Sequence, residues 1–527
     1  MAKSAALSNG KRKREDPPST ANSSKRQAKE APAKTKKFAK VSANAESSTT
    51  ENLEKAYTTT STLAKSPNTG PFHIQIVTGS YERVLHGISA TLPSQLLGDA
   101  ADGSSDKSSK PRNDVKAEFS DNFLFAAHAS AIRCLAVSPP TEADKRYLAT
   151  GSTDERINVY TVSTAPPTAS NKRSLPTLAS NAITENPRNR SLGSLIHHDR
   201  AITRLDFPAK GKLFSSAEDN TIAISRTRDW TMLSSVKAPI PKAQGRPSGD
   251  TAGPGETPAG VNDFAIHPSQ KLMLSVGRGE RSLRLWNLMT GKKAGVLNFD
   301  RSLLEQVGEG KYSSGEGRHV LWASEGEAYV VAFERGAAVF GVDSKPHAVI
   351  RPSPPTKMHQ LRAVQIAGKE VLAFSTEDGR ILFYDLAGVE GNNESPEAKL
   401  PACPLLAQLG GKATGVSGRI KDFEVLSLSD TQSTNAIVVT ASSDGAVRIW
   451  NIIGSDLASP QSEKGTSKTS TPKQVGDLVG MLETGSRITC LAAFMLDGSP
   501  SDDANGEAAA EGAENGASPS SSGEESE

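Results

Sequence analysis

Val439-Thr-Ala-Ser-Ser-Asp-Gly-Ala-Val-Arg-Ile-Trp450 runs from an apolar strand through small hydroxylic residues and an Asp-Gly turn into an alternating strand that ends on an aromatic. The same phrase returns in Leu148-Ala-Thr-Gly-Ser-Thr-Asp-Glu-Arg-Ile-Asn-Val-Tyr160 and in Leu213-Phe-Ser-Ser-Ala-Glu-Asp-Asn-Thr-Ile-Ala-Ile224. It returns again in Leu274-Ser-Val-Gly-Arg-Gly-Glu-Arg-Ser-Leu-Arg-Leu-Trp286 and Leu372-Ala-Phe-Ser-Thr-Glu-Asp-Gly-Arg-Ile-Leu-Phe-Tyr384. Recurrence on this scale marks a repeat architecture, in which each unit buries its apolar face only against its neighbours. Such a chain is better suited to holding partners together than to transforming a substrate.

The strand ends Tyr160, Ser225, Trp286, Phe340, Tyr384 and Trp450 are spaced by 65, 61, 54, 44 and 66 residues. Propeller blades run about 40–45 residues. The surplus falls where Ser, Pro, Gly, Thr and Asn accumulate, near 93–120, 164–192, 237–258, 389–416 and 455–475, which read as surface insertions. Asp378-Gly379 and Asp444-Gly445 read as two-residue hairpin turns, because both residue types tolerate positive φ. Six complete units leave two orphans: residues 72–92 supply two strands and lack the preceding one, and residues 481–494 supply it. A ring closed by its own ends is expected to leave no exposed sheet edge, which is the physical motive for closing it. The expectation is an all-β, seven-bladed β-propeller over 71–496, closed by pairing of N- and C-terminal strands. Disordered ends, a basic arm over 1–70 and an acidic tail over 497–527, flank it, since neither carries enough apolar surface to offset ordering entropy.

Net charge is only +2, but it is segregated between those two ends. In the arm, Lys11, Arg12, Lys13 and Arg14 stand ten residues before Lys25 and Arg26, the layout of a bipartite nuclear import signal read by an import receptor. The same cations would hold RNA phosphate without reading sequence, and a merely solvated tail is the bland alternative. Ser521 and Ser522 precede Glu524 and Glu525 at the spacing of an acidic-kinase site. Cys134, Cys403 and Cys490 form no ligand spacing; Cys134 and Cys490 occupy the same place in two similar strands and read as small core residues in a reducing compartment. No apolar run suits a signal peptide or membrane helix, so a soluble intracellular chain is expected.

The repeated phrase resembles the WD40-repeat family. There, a His before the first strand, a Ser or Thr in the second, an Asp in the tight turn and a Trp in the third form a buried hydrogen-bonded network. The matching positions are His128, Asp154 and Tyr160; His198 and Asp219; Trp286; Asp378 and Tyr384; and Asp444 and Trp450. Only two units keep the Trp, the fifth has no turn Asp, and the seventh has no His in register. A narrower resemblance covers about 72–494. It rests on Val77-Thr-Gly-Ser-Tyr-Glu-Arg-Val-Leu-His-Gly87, Leu195-Ile-His-His-Asp-Arg-Ala-Ile-Thr-Arg-Leu205, Ser216-Ala-Glu-Asp219, His267-Pro-Ser-Gln-Lys-Leu-Met-Leu-Ser-Val-Gly277 and Leu285-Trp-Asn-Leu288. These are similar to the p21-activated protein kinase-interacting protein 1 family, whose yeast member is a maintenance-of-killer protein. The resemblance implies a nucleolar role in assembling the large (60S) ribosomal subunit and, in animals, a negative effect on p21-activated kinase. The chain departs from that family's expected basic C-terminal extension.

His197-His198 has no Cys or carboxylate at ligand spacing, so a structural role is expected over a metal site. Asp154, Asp219, Asp378 and Asp444 recur at one turn, which argues for turn chemistry over catalysis. No nucleophile–base pair or phosphate-cradling loop is found, and neither enzyme activity nor a cofactor is expected. Arg83, Arg156, Arg281, Arg419 and Arg487 sit at turns or strand starts that gather on one propeller rim, with Arg133 and Arg204 in first strands. They read either as partner contacts or as scattered solvated charges. Tyr81-Glu82-Arg83 is the best single contact, an exposed aromatic beside a guanidinium. The expected function is a non-enzymatic scaffold in the nucleus and nucleolus, monomeric within a complex. It would dock pre-60S ribosomal proteins, assembly factors and pre-rRNA, with no membrane partner. The alternatives are a regulator of a p21-activated kinase, or a substrate adaptor of a ubiquitin-ligase or chromatin complex.

Overall fold

The computed structural model describes residues 71–93, 116–141, 144–166, 174–175, 183–184, 186, 188–241, 259–386, 399–428, 435–457 and 472–496. Lys11, Arg12, Lys13, Arg14, Lys25, Arg26 and the two tail serines lie outside these residues.

Seven blades of four antiparallel strands form a β-propeller, and in one of them the sheet is extended beyond its outer strand by the short strands Ile183–Thr184 and Ser174–Leu175. Blade one takes its innermost strand, Ile488–Met495, from the C-terminal side, followed by Phe72–Ser80, Val84–Leu92 and Glu118–Ala126. Ile76 faces Ala493 across the closing pair. Closure is therefore as expected, with one refinement. The N-terminal side supplies three strands, and the third begins inside the stretch read as an insertion. Residues 481–483 belong instead to the outer strand of blade seven, Asp477–Glu483. Likewise Leu405–Gly410, inside the stretch read as linker at 389–416, is the outer strand of blade six.

The apolar cores lie between blades. Ile74, Ile76 and Ile88 of blade one meet Val439, Ile449 and Leu491 in one cluster, while Phe383 of blade six meets Phe423 and Trp450 of blade seven in another. Each middle strand is covered on both faces, which is why Ala436–Ser442 and Ala446–Ile452 are buried throughout. A short helix, Arg301–Val307, wedges Leu303, Leu304 and Val307 into the core between blades four and five.

A local irregularity repeats in every blade. The third strand slips register against the fourth immediately before Ile88, Tyr160, Ser225, Trp286, Phe340, Tyr384 or Trp450. The recurring aromatic position of the sequence is thus the residue that follows a β-bulge. The Asp-Gly turns differ from expectation. Gly379 and Gly445 donate to the carbonyls of Thr376 and Ser442, three residues back, and only the glycines have positive φ, 79° and 86°. Each is a three-residue loop with Gly in the left-handed region, which frees the Asp side chain to bond its own turn. The equivalent loop position is also left-handed at Arg83, Glu155 and Asn220.

Candidate functional site

In blade two, His128 donates from Nδ1 to Asp154 Oδ2 at 3.0 Å, and its Nε2 accepts from the Thr150 hydroxyl at 2.7 Å. Asp154 also accepts the amides of Ala129 and Arg156. Blade three repeats this: His198 bonds Asp219 at 3.1 Å and Ser215 at 2.8 Å. Burial would raise the Asp219 carboxyl, but His198 and Thr221 hold it down at about 2. Burial, joined by the nearby charge of Arg156, pushes His128 below its usual range, against the pull of Asp154. Both rings are therefore committed to the hydrogen-bond networks of their blades.

The remaining blades build the network differently. Trp286 and Trp450 donate their indole N–H to Ser275 at 2.8 Å and Thr440 at 3.2 Å. Where no histidine is in register, arginine takes its place: Arg448 bonds Asp444 at 3.0 Å and Ser442 at 3.1 Å, and Arg380 bonds Asp378 at 2.8 Å. Arg284 pairs with Glu280 in the same manner. Tyr384 packs edge-on to Phe374, and its hydroxyl has no hydrogen-bond partner among the described residues. The arginines two or four residues before the aromatic were legible as charges but not as substitutes for histidine. Only the fold shows that each reaches back to its own turn.

The start of each first strand meets the hairpin between the second and third strands of its blade. The amides of Tyr81, Thr153, Glu218, Arg278, Glu377 and Ser443 donate to the carbonyls of Arg487, Ala131, Ala201, Gly260, Lys357 and Arg419. This contact gathers the arginines of interest on one rim, where they fall into two kinds. Arg83 and Arg156 are exposed at their turns. The others are held in place. Arg281 donates to the Ser314 carbonyl at 2.7 Å, and Arg419 pairs with Glu377 at 3.1 Å. Arg487 donates its amide to Glu82 at 2.9 Å and lays its guanidinium over Tyr81, 5.8 Å from the ring centre. Tyr81 itself is 61% exposed. Tyr81, Glu82 and Arg487 thus clasp the two ends of the ring while still facing outward.

Three turn glutamates, which sequence reasoning passed over, bridge blades along this rim. Glu218 of blade three pairs with Arg133 of blade two at 2.7 Å and Arg278 of blade four at 3.1 Å. Glu334 holds Arg318 and Lys357, and Glu377 holds His359 and Arg419. Burial opposes ionisation of Glu218, yet the two arginines keep its carboxyl below the usual range. The available signal was the Glu-Asp pair at Glu218-Asp219 and Glu377-Asp378, which repeats at one offset.

Nearer the axis, two buried aspartates each join three blades. Asp263 accepts from His319 and from the Val320 amide of blade five, and pairs with Arg204 of blade three. Asp422 accepts from Arg362 of blade six at 3.1 Å and from the Leu491 amide of blade one at 2.9 Å. Cys134 and Cys490 occupy matching bulge positions in their first strands; burial pushes the Cys134 thiol up to about 12 and Cys490 well above its usual value. Among the described residues no group of three His, Cys, Asp or Glu is placed to hold a metal ion. No helix of the described residues is long and apolar enough to cross a membrane.

The WD domain, G-beta repeat pattern matches residues 120–161, 189–224 and 417–451, which contain the networks of blades two, three and seven. The chain is a seven-bladed β-propeller that carries WD40 repeats. It is similar over 423 residues, at 24% identity and 80% of each chain, to p21-activated protein kinase-interacting protein 1-like of Gallus gallus. To Protein MAK11 of Saccharomyces cerevisiae it is 28% identical over 403 residues, 72% of this chain and 78% of that one. Shk1 kinase-binding protein 15 of Schizosaccharomyces pombe is 25% identical over 315 residues, 59% of this chain and 68% of that one.

Proposed function

We propose that this propeller is a non-enzymatic scaffold for ribosome assembly, acting on the large subunit in the nucleolus and docking proteins and pre-rRNA on its turn rim. The observation that carries the scaffold reading is the rim itself. Glu218, Glu334 and Glu377 lock neighbouring blades together, and Arg487 holds the turn of Tyr81 and Glu82, so exposed Tyr81, Arg83 and Arg156 stand on a rigid platform. A pre-organised surface loses little side-chain and loop entropy on binding. Likeness to MAK11, taken with the family resemblance read in the sequence, supports the ribosomal part; the basic arm supports import and loose RNA affinity. A second reading, binding to a p21-activated kinase, is favoured by the names of the Gallus gallus and Schizosaccharomyces pombe relatives.

The deciding experiment is a tagged pull-down resolved on a sucrose gradient, with bound RNA sequenced, at low salt and at roughly 0.3 M salt, where phosphate contacts weaken. Co-migration with large-subunit precursor rRNA supports the scaffold. Retention at the higher salt assigns binding to the propeller, and loss assigns it to the arm. Free migration with a kinase and no precursor rRNA overturns the ribosomal reading in favour of the second.

A further inference from the structure

The outer strands of the blades differ in what lies beyond them. In blade five, Val349 donates its amide to Pro401 and accepts that of Cys403, both at 2.9 Å. In blade six, Gln408 does the same with Lys473 and Val475, both at 2.8 Å. In blade seven, Val479 accepts the Ala117 amide at 3.0 Å, and in blade one Asp121 bridges in parallel to Ile183. The covering chain always comes from the connection between the third and fourth strands of the next blade. Those connections in blades three, four and five are only residues 227–231, 288–291 and 342–345, too short to reach back. Among the described residues, nothing pairs with the outer edges of Arg190–Leu195, Met232–Lys237 and Lys292–Asn298 in blades two, three and four.

Exposure follows coverage. Leu405–Gly410 in blade six is mostly buried, whereas Met232–Lys237 is exposed at every residue except Val236. An uncovered edge strand offers a row of open N–H and C=O groups. Leu192, Met232, Leu233 and Val296 on these strands are 43, 49, 42 and 46% exposed. Arg190, Lys237, Lys292 and Lys293 are their charged residues; the strands contain no carboxylate.

We propose that this bare arc, centred on Met232–Lys237, takes an extended acidic peptide from a partner protein by strand addition. Main-chain hydrogen bonds would extend the sheet as Pro401–Cys403 and Lys473–Val475 do in cis. The partner's carboxylates would face Lys237 and its neighbours, and its apolar side chains would cover Met232 and Leu233. A second copy of this chain is a poor occupant, because two such edges set basic side chains opposite each other. Residues 501–527 are acidic but contain no Val, Ile, Leu, Met or aromatic residue to pack on Met232 and Leu233.

The test uses the full chain and three synthetic peptides: alternating Val-Glu, alternating Val-Lys, and Val-Glu with proline at every second Val. The Val-Glu peptide alone is expected to bind and to slow amide exchange across Met232–Lys237. Combined Lys237→Glu, Lys292→Glu and Lys293→Glu should weaken it by roughly tenfold or more. Lys412→Glu, on an exposed lysine of blade six outside this arc, should leave it unchanged, and an unaltered melting curve shows that the variants fold. Equal binding of the proline peptide would reduce the effect to ion pairing and overturn strand addition. Protection elsewhere, or no loss in the triple variant, also overturns it. Binding seen only after residues 497–527 are removed would assign the edge to the chain's own tail.

Discussion

Asp422 accepts the main-chain amide of Leu491 at 2.9 Å while its other oxygen accepts from Arg362 at 3.1 Å. One carboxylate therefore joins the last complete blade to the C-terminal strand that closes the ring. Asp263 does the same for blades three to five, with Arg204 and the Val320 amide. Asp422→Asn keeps the shape but removes one of the two carboxylates that face the Arg362 guanidinium, Glu424 being the other. A loss of roughly 3 kcal/mol in chemical denaturation is expected, the low end of the range of about 3–5 kcal/mol for breaking a buried pair by removing one partner, because Glu424 stays beside Arg362. Asp263→Asn should cost a similar amount. Only the Asp422 change should speed amide exchange at Leu491, and equal exchange in both variants would refute its role in closure.

Stability should fall in acid in two stages. The Asp219 carboxyl is held at about 2 in the fold against a usual 3.8, so the unfolded chain takes up that proton first. Its stabilisation, about 2 kcal/mol, is complete above pH 4 and disappears as pH falls toward 2. His128 is held below its usual 6.5 by burial, so protonation of the unfolded ring begins to erode stability just below that pH. Melting temperature measured against pH should show both limbs, with Asp219→Asn flattening the lower and His128→Gln the upper. Unchanged slopes would mean the networks do not titrate with folding.

Two aromatic substitutions at one register position should differ in sign. Trp450→Phe removes the indole bond to Thr440 and some buried volume, at a cost of about 1–3 kcal/mol. Tyr384→Phe removes a buried hydroxyl that has no hydrogen-bond partner among the described residues, so it should be neutral or stabilising. Equal losses in denaturant titrations would contradict the networks described.

At the turns, Glu155 is left-handed with φ 68°, which costs a non-glycine residue about 1–2 kcal/mol. Glycine there gives back about 0.5–1 kcal/mol in unfolded-chain entropy, so Glu155→Gly should stabilise slightly. Gly445→Ala should destabilise. Its φ is 86°, and an added Cβ would lie 2.8 Å from the Ser486 carbonyl oxygen. Thermal shifts of opposite direction are the expected reading.

The rim arginines should separate by assay. Arg156→Ala should weaken partner capture with no change in melting temperature. Arg419→Ala should lower both, because it also removes one of the two partners of Glu377 and with it the bridge between blades six and seven. If Arg156→Ala leaves capture intact, that turn is not a docking point.

Local pattern was enough for the repeat, the blade count and the closure, because apolar alternation and turn residues recur at each blade regardless of neighbours. The His-Asp networks were legible for the same reason: His128 with Asp154 and His198 with Asp219 lie within one blade, 26 and 21 residues apart. What the chain's order could not reveal is everything that crosses between blades. The partners of Glu218 are 85 and 60 residues away. Asp422 meets Leu491 only because the ring closes, and Arg448 reads as a surface charge until its hairpin turns it back on Asp444. Which outer edges are covered is likewise a tertiary outcome. It depends on whether the next blade's connection is long enough to reach back, and a row of unpaired main-chain groups leaves no mark in composition. Sequence alone determined the unit and its number. Three-dimensional packing decided which charges are bound, which face is rigid, and which strands remain open.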